Sequence, residues 1–299
     1  MKKVTTVVVT YNRKELLDEC IRALLKQSYK NNEILIIDNA STDGTKEAIE
    51  KYVDNKKVFY INTGKNLGGA GGFNYGVREA LKRKSDYIWL LDDDTIAKYP
   101  NALEAQVKKA NVLKDEFSFL SSITLWTDGK PCVMNRQDFE NDWAPYEKQL
   151  HEGLIPIKTS TFVGFFANAA VVKKIGLPIK EFFIYYDDIE YAYRMRKVKP
   201  AFLNTDSLLL HKMKTNSGGS AITVPADRIK RAYYNHRNLG YIVRHHYNKR
   251  ERKYGYKHKF FQNAYYVLVV AKDHKIKRLW ALTRGTIAGK FFNPKVEMK

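Results

Sequence analysis

The residues best suited to chemistry are acidic and gather in short clusters. Asp92-Asp93-Asp94 follows the apolar run Ile88-Trp89-Leu90-Leu91. Three adjacent carboxylates repel one another, so a cation or solvent has to relieve them. Carboxylate oxygens suit hard ions such as Mg²⁺ or Mn²⁺, which are often shared with substrate phosphates. A solvated acidic turn is the plainer alternative. A second cluster, Asp38-Asn39-Ala40-Ser41-Thr42-Asp43-Gly44, closes another apolar run. Its first carboxylate could accept hydrogen bonds from a base or ribose, or it could simply shape a turn before a capped helix. In Tyr185-Tyr186-Asp187-Asp188-Ile189-Glu190 the acids precede a helix, whose dipole favours them in any case. The adjoining Phe182, Phe183, Tyr185 and Tyr186 would also keep a carboxylate partly dry, raise its pKa and make it a usable base. His211, just after Leu208-Leu209-Leu210, reads equally as a structural residue or as a metal ligand. The stretch Asn66-Leu67-Gly68-Gly69-Ala70-Gly71-Gly72, read as a loop before a helix, could bring backbone N–H groups against a phosphate or sugar. It lacks the Gly-Lys-Ser/Thr ending of a P-loop, and it does not follow the first strand as a dinucleotide fingerprint does.

Such clusters act together only if a scaffold brings strand ends side by side, and the first 125 residues spell one. The β-branched run from Val4 to Thr10 is dense enough to be buried on both faces. Helical spacing follows at Leu16, Leu17, Ile21, Leu24 and Leu25, then a strand from Glu33 to Asp38. Ser41 or Thr42 is a candidate cap for a helix to about Val53. Further strands are expected at Val58–Ile61, Tyr87–Leu91 and Phe117–Leu125, with helices to about Arg83 and from Pro100 to Lys114. This βαβ rhythm predicts an α/β fold with a mostly parallel sheet, and such sheets bind ligands beyond the carboxyl ends of their strands. Residues 126–161 read as irregular and polar. A helix near Ala169–Ile175, the acidic cluster at 187–190, a strand near Ala201–Asn204 and a flexible segment from Lys212 to Gly219 follow.

The chain of 299 residues is 44% hydrophobic, enough for a packed core and unlike a disordered segment. Its two cysteines, Cys20 and Cys132, lie far apart and have no metal-binding spacing, which fits a reducing compartment. No secretory leader and no membrane-spanning run is expected; the best apolar stretch, Tyr265 to Ala271, is far short of the roughly 20 residues a span needs. The net charge of +20 is uneven, since residues 225–299 hold 19 Lys and Arg against 4 Asp and Glu. That basic, aromatic quarter lacks any recognised nucleic-acid motif. An anionic membrane surface suits its mixture of Tyr, Trp, Lys, Arg and apolar residues better, and an oligomer contact is the other reading.

Taken in order and spacing, Val7-Val8-Val9-Thr10-Tyr11-Asn12-Arg13, Ile36-Ile37-Asp38-Asn39-Ala40-Ser41-Thr42-Asp43-Gly44-Thr45 and Leu90-Leu91-Asp92-Asp93-Asp94 resemble glycosyltransferase family 2. The likeness covers roughly residues 4–215. It implies a GT-A fold, a nucleotide-diphosphate sugar donor and a divalent cation, Mn²⁺ or Mg²⁺. The glycine-rich stretch through Phe73, the triple aspartate, the run from Phe182 to Glu190 and His211 look most like the galactofuranosyltransferases, which use UDP-galactofuranose. The related rhamnosyltransferases use dTDP-rhamnose and are the second reading; a non-catalytic sugar-nucleotide binder is a distant third. Carried over by position, the resemblance puts Thr10, Tyr11, Arg13, Asp38, Asn66, Gly68, Gly69, Asp92 and Asp93 on the donor, with Asp38 at the base. It puts Asp92, Asp94 and His211 on the metal. Asp188 becomes the general base of an inverting displacement, with Asp187 beside it. Gly164-Phe165-Phe166 would form an acceptor-side wall, with phenylalanines where the galactofuranosyltransferases carry tryptophans. The implied layout is a catalytic domain over residues 1–220, with a nucleotide-sugar half to about 125 and an acceptor half after it. A helical appendage over 221–299 would hold the protein at the cytoplasmic face of the cell membrane, near a glycan or polyprenyl-diphosphate-linked acceptor.

Overall fold

The computed structural model describes residues 1–53, 57–216 and 224–298. The strands are β1 (Val4–Thr10), β2 (Asn32–Asp38), β3 (Val58–Asn62), β4 (Tyr87–Asp92), β5 (Thr95–Ala97), β6 (Phe119–Leu125), β7 (Asp138–Phe139), β8 (Leu154–Thr159), β9 (Phe165–Asn168) and β10 (Phe202–His211). The helices are α1 (Lys14–Leu25), α2 (Thr45–Val53), α3 (Gly68–Lys82), α4 (Ala102–Val112), α5 (Glu147–His151), α6 (Ala169–Ile175), α7 (Asp187–Arg196), α8 (Arg231–His245), α9 (Lys249–Val269) and α10 (Lys275–Phe291). The sheet runs β3-β2-β1-β4-β9-β6-β10-β8-β7, with β5 paired to β10. Pairs β3–β2, β2–β1, β1–β4 and β6–β10 are parallel, and β9 is inserted antiparallel between β4 and β6.

β1 is buried along its whole length, as its unbroken β-branched run predicts. Val4 and Val8 pack on the face covered by α1, α2 and α4, while Val7 and Val9 pack on the face covered by α3, α6 and α7. The glycines expected in a loop instead form the first turns of α3. A Cβ on Gly72 would lie 2.5 Å from Val9 Cγ1, and one on Gly76 would lie 2.3 Å from Val7 Cγ1. Their absence of side chain lets the helix sit directly on β1.

Register does the positioning. Thr10 lies opposite Asp38, and Val9 lies opposite Asp92, so three strand ends finish side by side. β5 folds back after Asp94 and pairs antiparallel with the end of β10, placing His211 opposite Thr95. β10 runs from Phe202 to His211, longer than the strand read near Ala201–Asn204, because a bulge between Asn204 and Leu208 lets one strand continue past an irregular centre. The stretch 126–161 is more ordered than its composition suggests. β8 pairs with β10, and its Pro156 lies opposite Phe202, a place where a strand next to the sheet edge tolerates proline.

The basic quarter forms α8, α9 and α10. Gly240 of α8 meets Gly289 of α10 so closely that a Cβ on Gly240 would be 2.6 Å from the Gly289 carbonyl oxygen. A third core of Ala70, Ile179, Phe182, Tyr241 and Ile242 joins α8 to α3 and to the segment before α7. After α10 the chain returns to the sheet-bearing body, where Glu297 pairs with Arg78 and Lys180 and its carbonyl accepts from Leu177 N. The boundary expected near 220, and part of the Lys212–Gly219 segment, fall outside the described residues.

Candidate active site

Asp92, Asp94 and His211 each offer a ligand atom, and the three atoms lie within 4.8 Å of one another. Oxygen ligands of a small divalent ion at 2.0–2.1 Å sit within about 4.2 Å of one another, so a slight closure completes the set. His211 is 4% exposed. Its Nδ1 lies 2.7 Å from Asn135 Oδ1 and its Nε2 lies 2.9 Å from Asp94 Oδ1. Cys132 Sγ lies 3.9 Å from the same Nδ1. Asn135 and Cys132 come from the stretch that sequence reading left irregular, and neither type nor spacing marked them.

The electrostatics ask for a positive charge at this point. Burial and the neighbouring Asp94 push Asp92 up to about 6. Burial also works against ionisation of Asp94, yet the hydrogen bond and charge of His211 and the charge of Arg13 hold it below the usual carboxylate range. Burial alone would lower His211, but its hydrogen bonds with Asp94 and Cys132 and the charges of Asp94 and Asp92 push it up to about 10. Two carboxylates that demand compensating charge, beside an imidazole that would yield its second proton to a metal, fit a divalent ion such as Mn²⁺ or Mg²⁺.

Asp93 points the other way. It is 4% exposed, accepts from Thr10 Oγ1 at 2.8 Å and from Arg13 Nη1 at 3.1 Å, and burial pushes it up to about 7. Arg13 also reaches Asp94 Oδ2 at 2.6 Å. Asp93, Thr10 and Arg13 thus brace the cluster from behind, with the Arg13 side chain half-exposed at the rim beside exposed Tyr11. Asp38 is 1% exposed; Oδ1 accepts from the Ser41 N–H and hydroxyl, and Oδ2 accepts from Tyr60. The helix after it starts at Thr45, where Asp43 accepts from the backbone N–H at 3.2 Å. Ser41 is therefore engaged with Asp38 and Asn12 N rather than with a cap. Exposed Asn66 accepts from Gly68 N, and Gly69 stands beside open space. Gly68, at φ 72°, faces the protein: a Cβ there would meet the Phe183 carbonyl oxygen at 2.2 Å.

Asp187 and Asp188 occupy the first turn of α7. Burial and Asp188 raise Asp187 well above the ordinary carboxylate range. Burial, then the charge of Asp92, push Asp188 up to about 7, against the pull of a 2.7 Å hydrogen bond from Ile189 N. The charge of Asp92 is among the causes that raise both. The approach to α7 is strained: Phe183, Tyr185 and Tyr186 have φ of 63°, 67° and 67°. Left-handed backbone at bulky residues costs on the order of 1–3 kcal/mol each and persists only where surroundings enforce it. Behind the pair, fully buried Glu190 takes both oxygens to Arg194 Nε at 2.7 and 2.8 Å and lies 3.4 Å from His246. Phe165 and Phe166 are fully buried in the two cores, not on a surface wall, because β9 sits mid-sheet. Gly164, at φ 83°, makes the turn into that strand.

Residues 5–171 match the family model for glycosyl transferase family 2. Over 263 residues, 80% of this chain and 82% of the relative, the sequence is 28% identical to Galactofuranosyltransferase GlfT1 of Mycolicibacterium smegmatis. The fold resembles S. aureus TarS solved in complex with UDP-GlcNAc, with TM-score 0.62 and 14% identity over 96% of this chain and 81% of that one. It also resembles the mannosyltransferase PcManGT of Pyrobaculum calidifontis, solved with GDP-Man and Mn²⁺, with TM-score 0.58 and 17% identity over 96% of this chain and 74% of that one.

Proposed function

Because the chain belongs to glycosyl transferase family 2 and has the GT-A fold, we propose that it is an inverting, cation-dependent transferase of galactofuranose from UDP-galactofuranose to a glycan or lipid-linked acceptor. The observation that carries this reading is the gathering of Asp92, Asp94 and His211 within 4.8 Å of one another at the carboxyl ends of β4 and β10. The donor sugar is inferred from the galactofuranosyltransferase relatives.

Asp92, Asp94 and His211 would hold the divalent cation, whose charge offsets what builds on the departing diphosphate. Asp93 and Thr10 keep Arg13 at the rim, where its guanidinium adds positive charge toward the donor. Asp188 takes the proton from the acceptor hydroxyl as that oxygen attacks the anomeric carbon opposite the leaving group. A single displacement inverts the centre, and no side chain becomes covalently linked.

The C-terminal helices support placement at a membrane. On α10, Ile276, Trp280, Ile287 and Phe291 fall on one helical face and are 84%, 63%, 54% and 79% exposed. Phe261, Tyr265 and Leu268 form a similar stripe on α9. Exposed Lys257, Lys259, Lys272, Lys275, Lys277 and Lys290 surround them. No described helix is long and apolar enough to cross a membrane. These faces suit peripheral docking on anionic lipid at the cytoplasmic side. The deciding experiment for the reaction is a donor screen with Mn²⁺ comparing UDP-galactofuranose, UDP-galactose and dTDP-rhamnose. Selective turnover of the first is expected; selective use of dTDP-rhamnose overturns the sugar assignment, and no turnover of any overturns the transferase reading.

A further inference from the structure

The strained segment before α7 is held from a distant part of the chain. Asn238, in the middle of α8, is fully buried. Its Nδ2 donates to the carbonyl oxygens of Phe182 at 2.9 Å, Ile184 at 3.0 Å and Tyr185 at 2.8 Å. Two amide hydrogens therefore serve three carbonyls, one of them shared. The adjacent Arg237 guanidinium donates to the Glu181 and Phe182 carbonyls. From the opposite side, Ala70 N at the start of α3 donates to the Phe183 carbonyl at 3.2 Å, and Gly68 leaves room for it. Phe182 itself is fully buried against Tyr241 and Phe292.

The geometry has a direction. Carbonyls at 182, 184 and 185 can converge on one amide only if the backbone between them turns through the left-handed region, as Phe183, Tyr185 and Tyr186 do. Tyr186 is the residue before α7, so its conformation sets the angle at which Asp187 and Asp188 enter the site. An Asp in place of Asn238 would set oxygens against three carbonyls, and an apolar residue would take this donor from the Ile184 and Tyr185 carbonyls while the Phe182 carbonyl kept Ile184 N and Arg237. α8 meets the sheet-bearing part of the chain through this segment and the third core.

We propose that Asn238 is a positioning residue for the general base: by clamping the Phe182–Tyr185 carbonyls, it fixes the entry of α7 and so the placement of Asp188. This inference rests on the assignment of Asp188 as the base. It makes α8 a working part of the active site as well as a link to the basic helices.

The test compares Asn238→Ala, Asp188→Asn, the double variant, and Arg244→Ala. Arg244 bonds the Gly289 and Phe292 carbonyls within the same helical bundle and donates to none of the clamped carbonyls, although Phe292 packs on Phe182. Misplacing a reacting group by about 1 Å can cost a factor of about 100, so kcat for Asn238→Ala is expected to fall 10- to 100-fold. UDP affinity in Mn²⁺, read by calorimetry, should stay at the wild-type value. Arg244→Ala should lower the melting temperature while keeping kcat. In the Asp188→Asn background, Asn238→Ala should add no further loss, because residues acting through one group are not additive. If Asn238→Ala does not fold, Asn238→Ser, which keeps one donor, carries the test with a smaller drop in kcat. Wild-type kcat in the folded Asn238 variant, a matching kcat loss in Arg244→Ala, or additive losses in the double variant would each overturn the proposal. If Asp188→Asn alone keeps full turnover, the base assignment fails and takes this inference with it; if Asp188→Asn is inactive while Asn238→Ala turns over normally, only the positioning role fails.

Discussion

Replacing Asp188 with asparagine should remove the pH dependence of turnover along with most of the turnover. Burial and the charge of Asp92 push this carboxyl from the usual range up to about 7. That rise means the ionised form is roughly 4 kcal/mol costlier in the folded protein than in water, and it makes the carboxylate a correspondingly stronger base. Only the unprotonated form can accept the acceptor's proton, so activity must grow as pH rises. One unit below the midpoint about a tenth of the molecules are competent, and kcat/KM should climb about tenfold per unit until it levels above pH 7. A cation held at Asp92 cancels part of the electrostatic push, so the midpoint of the kcat profile in the loaded enzyme should lie lower than that of kcat/KM. The substituting amide has nearly the same shape as the carboxylate and cannot take a proton. The loss in Asp188→Asn should be about 100- to 10,000-fold, the usual share of general-base catalysis, and the remaining activity should be flat with pH. The assay is release of UDP from the preferred donor, with acceptor varied, in buffers of constant ionic strength. A wild-type profile that is flat between about pH 5.5 and 8, or an Asp188→Asn enzyme that keeps the same rising limb, refutes the reasoning.

Asp94→Ala removes one proposed ligand and the group that anchors both Arg13 and His211; Mn²⁺ titration by calorimetry should show affinity weakened at least about 100-fold, and unchanged affinity would place the ion elsewhere. Glu190→Ala leaves Arg194 without its carboxylate beneath the acidic pair, and urea unfolding should report a loss of about 3–5 kcal/mol. His246, Arg194 and burial act on Glu190 with burial the largest and opposing, and the net result is a pKa below the unfolded value of 4.5. Its contribution is therefore present above that value and fades as pH falls through the folded one, so Glu190→Gln should flatten the acid limb of the stability curve. Changing Ile276, Trp280, Ile287 and Phe291 together to serine should abolish co-sedimentation with phosphatidylglycerol vesicles while leaving turnover of soluble acceptors intact; retained sedimentation would exclude that face as the lipid contact.

How much could be read beforehand differed from residue to residue. β1 was plain because seven residues that must all be buried leave an uninterrupted β-branched run. Asp92 and Asp94 were legible because carboxylates are rarely stacked behind a hydrophobic strand without cause. His211 was visible as a histidine at a strand end, but its partner Asn135 was not, since nothing in an irregular polar stretch states which amide will meet a ring far along the chain. The glycines at 68–72 misled, because the same lack of a side chain serves a ligand loop and a helix pressed on a strand. Gly164-Phe165-Phe166 also misled: an aromatic pair looks alike in sequence whether it lines a cleft or fills a core, and only the insertion of β9 between β4 and β6 decides it. Asn238 carried no signal at all. An asparagine inside a basic, aromatic helix resembles any solvated polar residue until tertiary contacts bury it.

That buried amide has a consequence for how the protein is born. The carbonyls it holds emerge from the ribosome well before α8 does, and until α8 arrives those of Ile184 and Tyr185 lack this donor. A nascent chain can complete the sheet and gather Asp92, Asp94 and His211 before the entrance to α7 is held. Competence would then switch on late in synthesis, once the C-terminal helices have formed, rather than in an unfinished enzyme.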